Sequence, residues 1–260
     1  MPDLTESAIV ARLRGAGCVF AEDEAALLLE AATNPEQLED MVQRRVDGLP
    51  LEQILGWAEF AGLRVLIEPG VFVPRRRTEF MVELATEFAQ DRAVVLDLCC
   101  GSGAVGAAIF ALNPAIDLFA ADIESAAVQC ARRNLAGKGQ VFEGDLFEPL
   151  PGSIKGRVDI LTCNAPYVPT DEIRLMPPEA RLYEPNVTLD GGADGLDIQR
   201  RVAAEAKRWL APGGHLFIES SERQAPETAK AFRNNGLTAR IEHDDERGGT
   251  VVIGTRPIEP

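Results

Sequence analysis

From residue 93 onward, short apolar runs alternate with segments that have helical periodicity. The apolar runs are rich in β-branched residues, which is typical of buried strands. Strands that alternate with helices pair in parallel, because each helix returns the chain to the start of the next strand. The last two runs have no helix between them, so we expect them to pair antiparallel. This order predicts an α/β fold with a doubly wound sheet and a terminal antiparallel strand.

The elements of this sheet domain are predicted from the same pattern. Strands are predicted at 93–98, 118–121, 140–143, 158–163, 216–219, 237–242 and 250–254. Helices are predicted at 78–89, 104–112, 125–135, 199–210 and 225–234. Pro212, Gly213 and Gly214 are expected to end the fourth of these helices, and Gly236 is expected to cap the last.

Residues 4–47 differ in character, with three helical patterns and no strand signal. The second pattern covers 25–32, and the third begins at Pro35 and runs to Val46. Residues 57–60 and 63–67 then predict a hairpin with Gly62 in its turn. We therefore expect a small N-terminal helical domain at 1–48, a β-hairpin linker at 49–73 and the sheet domain at 74–260.

The composition narrows the location of the protein and its partners. No apolar run reaches the roughly 18 residues of a membrane span, and Asp3 and Glu6 do not fit a signal peptide. The five cysteines are an odd number and favour reduced thiols, so a cytoplasmic protein without membrane contact is expected. The net charge of −15 argues against direct nucleic-acid binding. The two histidines and five cysteines lack metal-ligand spacing, so no metal is expected.

A carboxylate lies at the end of each of three successive predicted strands: Asp97, Asp122 and Asp145. Gly101 and Gly103 let the chain turn tightly, so that backbone N–H groups can approach a ligand at a helix N-terminus. Such a glycine pair also occurs in ordinary strand-to-helix turns. However, Asp122 lies 25 positions after Asp97, close to the roughly 20-residue spacing at which an acid meets ribose hydroxyls. A nucleotide-like cofactor is therefore predicted.

A dinucleotide oxidoreductase is the competing interpretation of this loop, because Gly101, Gly103 and Gly106 match the Gly-x-Gly-x-x-Gly pattern. Asp97 opposes that interpretation, since a carboxylate at the approach to the loop would repel a pyrophosphate. A carboxylate suits a cofactor that carries an ammonium and a sulfonium group. We therefore expect S-adenosyl-L-methionine, which carries both.

Asn164-Ala165-Pro166-Tyr167 follows the predicted strand at 158–163. Pro166 and Pro169 prevent the strand from continuing, so an amide and an aromatic ring lie at the carboxyl end of a strand. Ligands bind at that edge in open α/β sheets. Asn164 could instead simply form a turn, and Tyr167 could simply pack in the core, in which case neither has a chemical role.

Two of these stretches resemble known motifs. Residues 97–103, Asp-Leu-Cys-Cys-Gly-Ser-Gly, resemble motif I of class I S-adenosylmethionine-dependent methyltransferases, and residues 164–167 are similar to the Asn-Pro-Pro-Tyr of amino-methyltransferases that act on planar nitrogens. Further matching stretches are 50–56 with 59–60, 74–75 with 78–79, and 183–185 with 189–192 and 194–196. Together, over about residues 50–254, they resemble the protein N(5)-glutamine methyltransferases that modify peptide chain release factors.

The resemblance implies a Rossmann-like methyltransferase sheet and methyl transfer to the side-chain amide nitrogen of a glutamine in a protein, a release factor or similar partner. It implies a catalytic role for Asn164, Ala165, Pro166 and Tyr167. It places the cofactor against Asp97, Cys99, Gly101, Gly103, Asp122, Ile123, Asp145, Leu146 and Asn164. It places the substrate against Arg75, Arg77, Thr78, Glu79 and Glu184. In the family, the Asn side-chain oxygen and the carbonyl of the next residue accept the two amide N–H groups.

The chain departs from the family pattern at two places. The usual Pro-Arg-Pro-x-Thr-Glu loop is replaced at 74–79 by Pro-Arg-Arg-Arg-Thr-Glu, and Ala165 replaces a proline. Arg75, Arg76 and Arg77 form either a solvated loop or a surface that meets an acidic acceptor.

Different acceptors are compatible with the same motifs. An adenine-N6 nucleic-acid methyltransferase uses the same four-residue motif but needs phosphate contacts, which the net charge of −15 disfavours. The motifs would also fit a methyltransferase that acts on another protein or on a small molecule. A non-catalytic binding module is the interpretation without an enzymatic activity.

Overall fold

The computed structural model describes residues 4–258. Residues 1–3 of the expected helical domain, including Asp3, and residues 259–260 of the expected sheet domain therefore lie outside the described residues.

Four helices open the described chain: α1 (Glu6–Gly15), α2 (Ala21–Ala31), α3 (Pro35–Val46) and α4 (Leu51–Leu55). The Asn34 side chain caps α3 by accepting from the backbone N–H of Gln37. The first three helices bury Ile9, Leu13 and Leu28 completely. The prediction for α2 began four residues too late, because acidic residues at 22–24 resemble a loop but favour the first turn of a helix.

A hairpin follows, in which β1 (Trp57–Phe60) pairs antiparallel with β2 (Leu63–Leu66). Ala61 and Gly62 both have positive φ, at 48° and 73°. Such a two-residue turn matches the twist of the two strands. The hairpin prediction is therefore confirmed, except that Ile67 lies beyond β2.

A seven-stranded sheet forms the rest of the fold. Its strands are β3 (Val94–Leu98), β4 (Asp117–Asp122), β5 (Gly139–Glu143), β6 (Val158–Cys163), β7 (Leu210–Glu219), β8 (Thr238–Asp244) and β9 (Gly249–Thr255). Its helices are α5 (Glu79–Thr86), α6 (Ala104–Leu112), α7 (Ser125–Asn134), α8 (Pro178–Tyr183), α9 (Asp197–Trp209) and α10 (Ala225–Asn234).

The strand order is β5-β4-β3-β6-β7-β9-β8, and β3 to β7 are parallel. β9 runs antiparallel to both of its neighbours. Alternate residues of β3 face opposite cores: Leu96 packs in the core with α9 and α10, while Val95 packs in the core with α5 and α6. Helices therefore cover both faces, and the predicted doubly wound sheet with a terminal antiparallel strand is confirmed.

Some boundaries differ from the prediction. β7 begins at Leu210 and runs through Pro212, Gly213 and Gly214, where the end of a helix was expected. The pairing of β7 with β6 is irregular there, and a bulge of this kind accommodates proline and glycine in a strand. α9 begins two residues earlier than predicted. A 3-10 turn at Arg76–Thr78 precedes α5, which ends at Thr86, before the predicted end at residue 89. The short helices α4 and α8 were not predicted.

Arg45 joins the N-terminal helices to α8. Its side chain is only 7% exposed, and its Nε lies 2.6 Å from Glu24 Oε2 on α2. Its Nη1 lies 2.6 Å from Glu179 Oε1 on α8. The Tyr183 hydroxyl adds a hydrogen bond to the carbonyl of Asp47, just after α3, at 2.9 Å. These contacts hold α8 against the N-terminal helices.

We expect Arg45→Met to lower the free energy of unfolding by about 3 kcal/mol, because it leaves the shielded carboxylate of Glu24 without its partner. Arg44→Met is the matched control, since its i,i+4 pair with Asp40 is largely exposed and such pairs contribute under about 0.5 kcal/mol. Urea denaturation of both variants measures the difference. Equal losses in the two variants would contradict the role given to Arg45.

Candidate active site

A cleft of about 200 Å³ lies at the carboxyl edge of the sheet, where β3 and β6 part. Leu98 at the end of β3 lies opposite Cys163 at the end of β6. The strand order reverses between these two strands, which is the position at which open α/β sheets bind ligands. The loops that begin at Cys99 and at Asn164 therefore start side by side.

The structure brings most of the predicted site residues to this cleft. Its lining includes every predicted catalytic residue and every predicted cofactor residue except Gly103. Of the predicted substrate residues, Arg75, Arg77 and Thr78 line it, whereas Glu79 and Glu184 do not. Glu79 instead accepts a hydrogen bond from the backbone N–H of Ala61, 3.0 Å away, and so joins α5 to the hairpin turn.

The loop after β3 is tightly wound. Cys99, Gly101 and Gly103 all have positive φ, at 53°, 54° and 76°. Leu146, in the neighbouring loop of the cleft, also has positive φ, at 48°. Positive φ is uncommon in residues other than glycine and concentrates at functional sites. No pattern in the sequence marks Cys99 or Leu146 for this conformation.

Gly103 has a packing role in this loop. A Cβ at this position would lie 3.2 Å from side-chain atoms of Ala131 and Leu135. The glycine therefore lets the start of α6 approach α7 closely. Asn134 on α7 supports the same loop, since its Nδ2 donates to the carbonyls of Ser102 and Leu66 at 2.8 and 3.0 Å. Asn134 was not singled out from the sequence.

Asp122 organises the loop through the backbone. Its Oδ2 accepts from the N–H of Gly101 at 2.8 Å, and its Oδ1 accepts from the N–H of Glu124 at 2.9 Å. The Gly101 N–H, which was expected to approach a ligand, is thus used inside the chain. Burial raises the pKa of Asp122 above its ordinary value, and these hydrogen bonds only partly offset it.

Asp97 is 1% exposed, at the base of the cleft. Its carboxylate accepts from Thr162 Oγ1 at 3.0 Å and from the N–H of Gly106 at 3.1 Å. Burial raises its pKa to about 7, against which the two hydrogen bonds act. Asp145, by contrast, lies 2.6 Å from Arg201 Nη2. Among the described residues, no cation forms an ion pair with Asp97 or Asp122, so this part of the cleft favours a positively charged ligand.

Asn164 and Tyr167 are held by residues far away in the sequence. Asn164 Nδ2 donates to the buried hydroxyl of Thr78 at 3.3 Å, which leaves the amide oxygen as the acceptor that Asn164 can present. The carbonyl of Tyr167 accepts from Gln224 Nε2 at 2.9 Å. Gly195 is required beside it, because a Cβ there would lie 2.2 Å from that carbonyl oxygen. Sequence reasoning missed Gln224, whose position 57 residues after Tyr167 gives no local signal.

Two of the three arginines at 75–77 bind buried carboxylates. Arg75 pairs with Glu184, whose side chain is fully buried, and Arg77 Nε lies 3.1 Å from Glu219 Oε1. Arg75 and Arg77 are therefore ion-paired within the chain, while their side chains remain 32% and 43% exposed. Arg76 is exposed and fits either of the two interpretations.

Two classes of site are not found within residues 4–258. No helix in that range is both long and apolar enough for a membrane crossing. No group of three or more His, Cys, Asp or Glu side chains there is placed to hold a metal ion.

Comparison with known proteins shows which family the chain is related to. The model of the methyltransferase small domain matches residues 62–176. The release factor glutamine methyltransferase of Geobacter sulfurreducens is 38% identical over 229 residues, which cover 86% of this chain and 80% of that one. The same enzyme of Mycolicibacterium smegmatis is 35% identical, over 90% of this chain and 85% of that one.

A solved structure agrees in fold. The methyltransferase from Pyrococcus furiosus superposes with a TM-score of 0.58 over 76% of this chain and 90% of that one, at 16% identity. A likeness at this identity concerns the fold, whereas the relatives above match most of the chain in sequence. The chain belongs to the family of release factor glutamine methyltransferases.

Proposed function

We propose that this protein transfers a methyl group from S-adenosylmethionine to the side-chain amide nitrogen of a glutamine in a translation release factor, in the cytoplasm. The observation that carries the proposal is the position of Asn164. It presents an amide oxygen at the cleft, directly beside the loop of Cys99 and Gly101. The relatives named as release factor glutamine methyltransferases support the choice of acceptor.

The residues present fit the cofactor. When bound, S-adenosylmethionine supplies a methyl carbon activated by a positively charged sulfur. Asp97 and Asp122 would hold its ammonium group and ribose hydroxyls, since neither carboxylate has a cation as partner among the described residues. The apolar side chains of Ile123 and Leu146 would pack against the adenine ring, because both line the same cleft.

The acceptor amide needs positioning more than activation by a base. An amide nitrogen is a poor nucleophile, since its lone pair is delocalised into the carbonyl group. The Asn164 oxygen and the Ala165 carbonyl would accept the two N–H hydrogens and aim the nitrogen at the methyl carbon. Holding two groups in line in this way removes much of the entropic barrier. As the new N–C bond forms, the carbon–sulfur bond would break and its electron pair would stay on the sulfur, which leaves as a neutral thioether. One amide proton would then pass to solvent.

The direct test is transfer of tritium from methyl-labelled S-adenosylmethionine to a purified release factor. We expect label in an N-methylated glutamine, recovered after digestion. Label that appears only in nucleic acid, or in a residue other than glutamine, would contradict the proposal.

Asn164→Ala is expected to lower turnover about 100-fold or more, which is the scale for a preorganised polar contact. Its affinity for S-adenosylmethionine should stay near that of the wild type, because the amide faces the acceptor. Asn235→Ala is the matched control: that amide donates to the carbonyl of Ala231, outside the cleft. Calorimetry and the tritium assay measure the two quantities, and a fully active Asn164→Ala variant would exclude the amide mechanism.

The raised pKa of Asp97 predicts that cofactor affinity depends on pH. Below about 7 the carboxyl group is protonated in the free protein, so a cationic ligand must displace that proton to bind. Affinity should therefore rise as the pH rises through about 7, with proton release on binding below that value. Calorimetry in two buffers of different ionisation enthalpy measures this release.

Asp97→Asn is the control for the pH dependence, and it should bind the cofactor more weakly with a flatter pH profile.

The raised pKa of Asp97 also makes the stability of the protein depend on pH, but stability changes in the opposite direction to cofactor affinity. Between 3.8 and about 7 the unfolded chain releases the Asp97 proton and the folded chain keeps it, so stability should fall as pH rises. A wild-type affinity for S-adenosylmethionine that does not change as the pH rises through about 7 would contradict the assignment of Asp97.

A further inference from the structure

Glu219 lies beside the loop that begins at Asn164, although no motif in the sequence marks it. It is the last residue of β7, and the preceding residue, Ile218, lies opposite Cys163 on β6. This register places Glu219 next to Asn164, the first residue after β6. Glu219 is only 1% exposed, and it belongs to the lining of the cleft.

One oxygen of the Glu219 carboxylate binds two residues of the cleft. Oε1 accepts from the Tyr167 hydroxyl at 3.1 Å and from Arg77 Nε at 3.1 Å. The Arg77 guanidinium also lies 5.9 Å from the centroid of the Tyr167 ring. A single carboxylate oxygen therefore fixes the outer end of the Tyr167 ring and an arginine of the loop at 75–77.

The second oxygen, Oε2, is buried without a hydrogen-bond partner among the described residues. Burying an unpartnered carboxylate oxygen is costly. Replacing a whole buried ion pair by apolar residues of similar volume is often neutral or stabilising. The pair of Glu219 with Arg77, which also leaves one carboxylate oxygen unpartnered, is therefore not explained by its contribution to stability, and a role in the cleft explains it.

Tyr167 is fixed at both of its ends. Its carbonyl accepts from Gln224, and its hydroxyl donates to Glu219. Burial, and after it the charge of Glu219, raises the pKa of the Tyr167 phenol. The phenol therefore stays protonated and remains a donor over the physiological pH range.

We propose that Glu219 is a positioning residue for the acceptor, which acts by holding the Tyr167 ring and Arg77 in place beside Asn164. The proposal deepens the proposed function and rests on it for the nature of the acceptor. Its consequence is specific: loss of the carboxylate should affect the reacting geometry and leave cofactor binding unchanged.

The kinetic test uses Glu219→Leu, which removes the acceptor oxygen, together with Tyr167→Phe and the double variant, with a glutamine-bearing release factor. We expect turnover to fall by up to about 100-fold in each single variant, the scale for misplacing a reacting group by about 1 Å. Cofactor affinity should stay within about twofold of the wild type. The double variant should be little less active than the less active of the two single variants, because Glu219→Leu and Tyr167→Phe each break the same hydrogen bond.

Two controls separate positioning from general destabilisation. Tyr183→Phe removes the hydroxyl of the other of the two tyrosines, which binds the carbonyl of Asp47 outside the cleft. Glu24→Leu removes a carboxylate that is 12% exposed and paired with Arg45 among the N-terminal helices. Neither control should lower turnover as Glu219→Leu does. Fully additive effects of Glu219→Leu and Tyr167→Phe would overturn the proposal.

A second readout does not depend on the acceptor. In a Tyr183→Phe background Tyr167 is the sole tyrosine, so ring-labelled tyrosine reports its mobility by NMR relaxation. We expect the ring to be rigid with Glu219 present, mobile in Glu219→Leu, and rigid in Glu24→Leu. A ring that stays equally rigid without the carboxylate would overturn the proposal. If the wild type fails to label a release factor, the proposed function falls, and the ring mobility still decides the positioning role.

Discussion

The parallel pairing of β3 with β6 is the constraint on which the site depends. Because Leu98 lies opposite Cys163, the chain leaves both strands at the same edge of the sheet. The helix that follows β3 packs with α5 on one face, and α9, which follows β6, packs on the other. The two loops therefore diverge and leave a cleft between them. The register between β3 and β6 thus sets the distance between the loop that would bind the methyl donor and the loop that would hold its acceptor.

Charge divides this cleft into two parts. On the side proposed for the acceptor, Glu219 pairs with Arg77, and Arg75, which also lines the cleft, pairs with Glu184 outside its lining. On the donor side, Asp97 and Asp122 are satisfied only by N–H and O–H groups. Neutral donors stabilise a buried carboxylate less than a cation does. A positively charged cofactor would therefore be drawn to the donor side, while a neutral amide would meet no unbalanced charge on the acceptor side.

Much of this arrangement could be predicted from the sequence, because its signals are local. The alternation of strands and helices, the glycines of the loop after β3 and the prolines after Asn164 all act within a few residues of where they stand. Contacts between distant segments could not be predicted in the same way. Glu219 is 142 residues from Arg77, and Asn164 is 86 residues from Thr78. Such pairs depend on strand register, which the pattern of apolar residues leaves open by several positions.

Short elements without an apolar stripe were missed for a related reason. Leu182 on α8 is 65% exposed, so the helix has no amphipathic pattern of its own. It exists through tertiary contacts, above all the pair between Glu179 and Arg45. Isolated helices of this length are unstable in water, and neither partner shows in the sequence that it will meet the other.

The substitution of alanine for proline at position 165 illustrates how tertiary contacts replace local stiffness. A proline there would restrict the unfolded chain and contribute roughly 0.4–1 kcal/mol. In this chain, Ala165 is 1% exposed and packs in the core formed with α9 and α10. Two residues later, Gln224 and Gly195 hold the carbonyl of Tyr167, and Glu219 holds its hydroxyl. Because each of these contacts comes from a different element, the surrounding fold fixes the conformation of the loop. Alanine in place of proline at position 165 therefore leaves the Asn164 amide ordered.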